Sequence, residues 1–227
     1  MATPRRDLIA YTLPFGLFMA GLTAVSVART LGITALGGVS VDPMYWIYPI
    51  QTAICAASLI CFWKSYDFSG TTASKLLLGV AVGLVVFGLW VSPQELLHGA
   101  VRTQGFDPGV LPDLAPWMLA ARFMRLVIVV PLVEEIFWRG FLLRYLARED
   151  FTSLPFGMCS RFSFWAVVAA FTLVHSQEDW PAALLTGILF NLIAVRTKSL
   201  WACVVAHAVA NLALGLYICA TRQWGFW

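Results

Sequence analysis

Charge is what this sequence has least of: Asp, Glu, Lys and Arg make up 12% of its 227 residues, against roughly 25% in an average soluble domain. Apolar residues reach 60%, more than a water-soluble protein of this size can hide from solvent. Basic blocks are also missing. The formal net charge is +3, with 12 Arg and 3 Lys dispersed along the chain, so the electrostatic footprint of a nucleic-acid binder is excluded. The five cysteines (Cys55, Cys61, Cys159, Cys203, Cys219) are odd in number and form no metal-type CxxC pair. Four lie in apolar runs and read as small core residues. No His-Glu-x-x-His helix, internal repeat or low-complexity stretch is present.

Long apolar runs are abundant instead, at 8–30, 45–63, 76–92, 117–147, 162–177, 181–195 and 199–221. About 20 residues cross a bilayer core. The expected fold is therefore all-α: a polytopic transmembrane helical bundle of about seven spans (six to eight), forming one membrane domain over 1–227. The run at 181–195 is the weakest span, with about 15 residues. Arg5 and Arg6 precede Leu8–Ala28, and Ser26-Val27-Ala28 faintly resembles a cleavage site. That run is long for a signal sequence, and an uncleaved first span is expected. Turn chemistry breaks the runs at Gly37-Gly38 with Asp42-Pro43, at Asp67 to Gly70, at Asp107-Pro108-Gly109 and at Asp179-Trp180-Pro181.

Lys and Arg of short loops favour the cytoplasmic side. With seven spans and a cytoplasmic N-terminus, that side receives Arg5, Arg6, Lys64, Lys75, Arg144, Arg148, Arg161, Arg196 and Lys198. The other receives Arg29, Arg102 and Arg222. This asymmetry supports both the span number and the orientation, and a multi-pass integral membrane protein follows, in the cell membrane if the source is prokaryotic. Trp46, Trp63, Trp90, Trp117, Trp180, Trp224 and Trp227 fall near span ends, as an aromatic belt would place them.

Ionisable side chains at membrane depth cost at least about 2.5–3.5 kcal/mol each on insertion scales, so each demands a partner or a purpose. In the fourth run, Glu135 and Arg139 stand at i and i+4 on one helix face, while Glu134 points about 100° away. An ion pair accounts for the first two and leaves Glu134 unexplained. Pro131 removes a backbone hydrogen bond just before them. His175 closes the fifth run, and His207 with Asn211 shares a face of the seventh. Counting about 1.5 Å per residue from the cytoplasmic ends puts Glu134, His207 and His175 about 18, 12 and 20 Å deep, compatible with one site. His98 lies in the long loop after the third run and receives no catalytic role.

Three motifs in this order, Glu134-Glu135-Ile-Phe-Trp-Arg139, Phe171-Thr-Leu-Val-His175 and His207-Ala-Val-Ala-Asn211, resemble the CPBP (CAAX protease and bacteriocin-processing, or Abi) family of intramembrane endopeptidases. The resemblance covers about 117–217, and the first three spans contribute no recognisable motif. It implies hydrolysis of a peptide bond in a membrane-anchored or lipidated protein or peptide, by CAAX-type or leader-peptide processing. By the same resemblance, Glu134 activates a water that His175 orients, His207 and Asn211 bind the oxyanion, and Glu135 with Arg139 orders the site. No cofactor is expected on this reading. The alternative is a zinc-dependent version with Glu134, His175 and His207 as ligands. A non-catalytic immunity or transport protein is a further rival, although no inverted repeat supports transport.

Overall fold

A computed structural model describes residues 5–36, 39–96 and 101–227, with backbone alone for 35, 36 and 39. Gly37, Gly38 and His98 lie outside the described residues. Helix α1 runs over Arg5–Thr30, α2 over Met44–Cys61 and α3 over Ala73–Leu96. One continuous helix, α4, occupies 115–145; it is α-helical at Ala115–Phe123, Val130–Glu135 and Leu143–Tyr145, and π-helical at Met124–Val129 and Ile136–Leu142. The remaining helices are α5 (Arg161–Leu173), α6 (Trp180–Thr197) and α7 (Leu200–Thr221). A two-residue antiparallel bridge, Ala35–Leu36 with Val39–Ser40, decorates the α1–α2 connection.

Five of these helices are long and apolar enough to cross a membrane: α1, α2, α3, α6 with its leading turn, and α7. Leu77, Ile60 and Leu216 stand exposed on the outer surface, as a bundle solvated by lipid requires. The weak span differs from the expected one. Pro181 in the first turn and a left-handed Lys198 at the end delimit a full 18-residue α6, whereas α5 has 13 residues and stops at Leu173. A helix of that length rises about 20 Å, short of the ~30 Å core.

The turns form where short polar side chains replace backbone partners. Asp42 accepts from the Met44 N–H and pairs with Arg29, tying the end of α1 to the start of α2. Asp67 and Asp107 each accept a backbone N–H two residues on, from Ser69 and Gly109. Ser160 and Ser163 cap one another at the start of α5.

Packing brings α7 against α3 more closely than any sequence reading above anticipated. A Cβ on Gly79 would come 2.6 Å from the Ala202 carbonyl oxygen, and one on Gly83 would come 2.5 Å from that of Ala206. Gly79-Val-Ala-Val-Gly83 is thus a small-xxx-small packing seam on the third span. It places His207 one residue from the tightest contact. The largest buried cluster draws on all seven helices, from Ala10 to Ala210. Of the cysteines, Cys55 and Cys203 are buried, but Cys61 is exposed, an outward position that a lipid-facing surface tolerates.

Candidate active site

The adjacent carboxylates of α4 go to different places. Glu135 is fully buried, and its Oε1 accepts hydrogen bonds from Arg139 Nη1 at 3.1 Å and His207 Nδ1 at 2.9 Å. Arg139, also fully buried, donates from Nε to Asn191 Oδ1 at 3.1 Å, and Asn191 Nδ2 donates to the Phe164 carbonyl at 3.0 Å. The rings of Phe171 and Phe190 lie 5.0 and 5.3 Å from the guanidinium. A polar chain therefore crosses the bundle from α7 through α4 and α6 to α5. Breaking one member of such a buried pair costs about 3–5 kcal/mol, because it strands the other charge.

Glu134, one residue earlier, is half-buried and has no hydrogen bond or ion pair among the described residues. It lines a cavity of about 340 Å³ together with His175, His207 and Asn211. The four groups singled out from sequence thus come from α4, the turn after α5, and α7, and share one space. Much of the remaining wall is aromatic, including Phe18, Phe87, Trp90 and Phe190.

The two histidines are held by opposite kinds of partner. His175 sits just beyond α5, where its Nδ1 donates to the Phe171 carbonyl at 2.7 Å. With Nδ1 as the donor, Nε2 is the ring's acceptor in the neutral form. Trp90 packs its ring 5.6 Å from the imidazole and donates from Nε1 to Thr186 Oγ1. Trp90 is therefore part of the site wall, not of an aromatic belt. His207 offers Nδ1–H to the Glu135 carboxylate, so its Nε2 donates only when both ring nitrogens carry a proton.

Asn211 owes its position to Pro131. In the first π-helical stretch the Val130 N–H bonds to the Arg125 carbonyl, five residues back. Continuing that register would pair residue 131 with the Leu126 carbonyl, but proline has no N–H. Asn211 Nδ2 supplies the missing donor at 2.8 Å. One amide hydrogen is spent on joining α7 to α4, and the second remains for the cavity. π-Helical turns of this kind recur at functional sites, and here one rearranges the turn just before Glu134.

Sequence reasoning overlooked Asn191, Gln51, Arg122 and Arg125. Arg122 and Arg125 are 4% and 5% exposed, and Arg125 lines the cavity. Two arginines three residues apart inside an apolar run are themselves a signal. Among the described residues no three His, Cys, Asp or Glu side chains are arranged to hold a metal ion.

No curated protein and no solved structure matches the chain. Residues 116–213, which run from the first turn of α4 into α7 and contain all three motifs, match the family model described as Rce1-like, type II CAAX prenyl endopeptidase Rce1-like, the same CAAX protease family that the motifs resemble.

Proposed function

We propose that this protein is a CAAX-type intramembrane endopeptidase that hydrolyses a peptide bond near the C-terminus of a prenylated, membrane-anchored substrate. The observation that carries this reading is the convergence of Glu134, His175, His207 and Asn211 on one cavity, within a segment that matches a CAAX endopeptidase family. On this reading all seven helices lie in the bilayer with the N-terminus cytoplasmic, consistent with the distribution of Lys and Arg.

The chemistry follows from which atoms are free. The Glu134 carboxylate takes a proton from water while the neutral His175 Nε2 accepts the water's other hydrogen bond. The resulting hydroxide attacks the carbonyl carbon. Negative charge then develops on the carbonyl oxygen, where the second Asn211 N–H and the His207 imidazolium donate. Donors of this kind can contribute about 3–4 kcal/mol each in a water-poor site. Glu134, now a carboxylic acid, returns its proton to the departing amine. Glu135 and Arg139 act through His207 as positioning residues, and no step requires a metal ion or cofactor.

The test is cleavage of a prenylated peptide with a CAAX C-terminus by purified wild-type protein and by Glu134→Gln. Cleavage by the wild type with loss of at least two orders of magnitude in the variant supports the assignment. Equal processing by both would reject Glu134 as the base.

A further inference from the structure

Between 115 and 142, α4 buries more cations than it neutralises. Arg122, Arg125 and Arg139 stand against Glu134 and Glu135, and Glu135 is already committed to Arg139. Neither Arg122 nor Arg125 forms an ion pair among the described residues. Arg125 donates from Nε and Nη2 to Gln51 Oε1 at 3.2 and 3.0 Å, and its guanidinium lies 4.2 Å from the centre of the Tyr48 ring. Gln51 is itself anchored by its Nε2, which donates to the Phe18 carbonyl. Nη1 of Arg125 has no hydrogen-bond partner among the described residues, and the side chain lines the cavity that holds Glu134. Behind it, Arg122 Nε and Nη1 are buried without a hydrogen bond among the described residues, between the rings of Tyr48, Phe106 and Trp227.

Aromatic faces and one amide oxygen steady a guanidinium but do not neutralise it. A pair of cations kept this dry is poised for an anion that arrives with a ligand. The spacing says which anion. Arg125 precedes Glu134 by nine residues, a rise of about 13 Å along an α-helix and less through π turns. In a C-terminal Cys-a-a-X sequence three residues follow the prenylated cysteine; extended beyond a bond cut there they span about 10 Å, and the reach of an arginine side chain covers the difference.

We propose that Arg125, with the charge of Arg122 behind it, binds the free C-terminal carboxylate of the substrate, so that the enzyme measures its cut from the chain end. This rests on the endopeptidase reading above and extends it to substrate selection. Arg125 Nη1 donates to the carboxylate while Gln51 holds the guanidinium in plane, a charge-assisted contact that a neutral C-terminus cannot make. A chain that continues past the third residue would have no carboxylate there and would be rejected.

The experiment uses full-length protein in phosphatidylcholine vesicles and two prenylated peptides identical except for a C-terminal carboxylate or carboxamide. Wild type is expected to prefer the acid by roughly 10- to 100-fold in kcat/KM, chiefly through KM. That preference should fall close to one in Arg125→Gln. It should also fall in Gln51→Glu, whose new carboxylate occupies Arg125 from within without removing a packed side chain. Arg125→Lys should retain part of it. Equal cleavage of acid and amide by wild type would overturn the proposal, and is the result expected if an anionic lipid headgroup owned these arginines. So would a preference that survives both neutralising variants. Binding of the same peptides to Glu134→Gln, read by fluorescence anisotropy, separates the two readings. Acid-selective binding without hydrolysis by wild type keeps the carboxylate site and rejects the protease; hydrolysis without acid selectivity does the reverse.

Discussion

On its packed face, α4 pairs buried charge internally: Glu135 and Arg139 are both fully buried and bond to one another, to His207 and to Asn191, with Glu135 Oε2 and Arg139 Nη2 left unbonded among the described residues. On its cavity face the same helix leaves Glu134 without a hydrogen bond or ion pair among the described residues, and the hydrogen bonds of Arg125 go to an amide oxygen, under aromatic rings. A paired network resists change and positions what it touches. An open one is incomplete until water or a ligand joins it. The difference teaches that adjacent carboxylates in one motif divide the labour: Glu135 holds the frame and Glu134 meets the reactant.

The largest effect that separates the faces is expected from Glu134→Gln. Peptide cleavage should fall by about 10²–10⁴-fold, while the thermal melt in detergent stays within about 1 °C of wild type, because a surface-like site carries little stability. A large drop in melting temperature would erase the proposed division. Arg139→Met should do the opposite. It leaves Glu135 buried with only His207 and should cost about 3–5 kcal/mol of stability, seen as a much earlier melt. Partial activity loss should follow as His207 loosens.

Gly83→Leu probes what holds α7 in place. Its side chain would drive into the Ala206 backbone and should cost about 1–3 kcal/mol, displacing His207 and lowering cleavage without replacing any polar side chain. Chelator treatment is expected to leave turnover unchanged, with no stoichiometric zinc in the purified protein. Parallel loss of zinc and activity would contradict the glutamate mechanism.

The smallest effect lies far from α4, at the exposed Arg29–Asp42 pair. Burial pushes the Asp42 carboxyl up, but hydrogen bonds from Arg29 and the Met44 N–H, with the Arg29 charge, outweigh it and hold the group below its ordinary value. A depressed folded-state value means that the stabilisation is present above about pH 4 and is lost as pH falls through the folded-state value. Asp42→Asn should therefore melt slightly earlier than wild type at neutral pH, with the gap closing in acid.

Much of this was readable in the chain because local rules govern it. Long apolar runs foretold the helices, and the i, i+4 spacing of Glu135 and Arg139 foretold their contact. Aspartates before turn residues marked three breaks that the structure describes. The π turns were not readable, since that register depends on Pro131 together with an amide from Asn211, 80 positions downstream by chain number. Trp90 looked like a belt residue because sequence shows how close a side chain is to a span end, not which way it faces. Arg122 and Arg125 were legible as costly residues, but their partners, Gln51 and the rings of α2 and the C-terminal turn, come from elsewhere in the chain. Gly79 and Gly83 were in plain view, and only the packing of α7 shows what they admit.

On the proposed reading, in which α5 lies in the bilayer, its brevity bears on how water reaches a peptide bond within a membrane. A helix about 10 Å shorter than the hydrocarbon thickness creates a hydrophobic mismatch, which a bilayer relieves by thinning beside it. The helix ends at Leu173, and His175 follows at once with its ring against Trp90. The headgroup boundary would then dip toward the residue proposed to orient the nucleophile, and the short span would deliver the reactant.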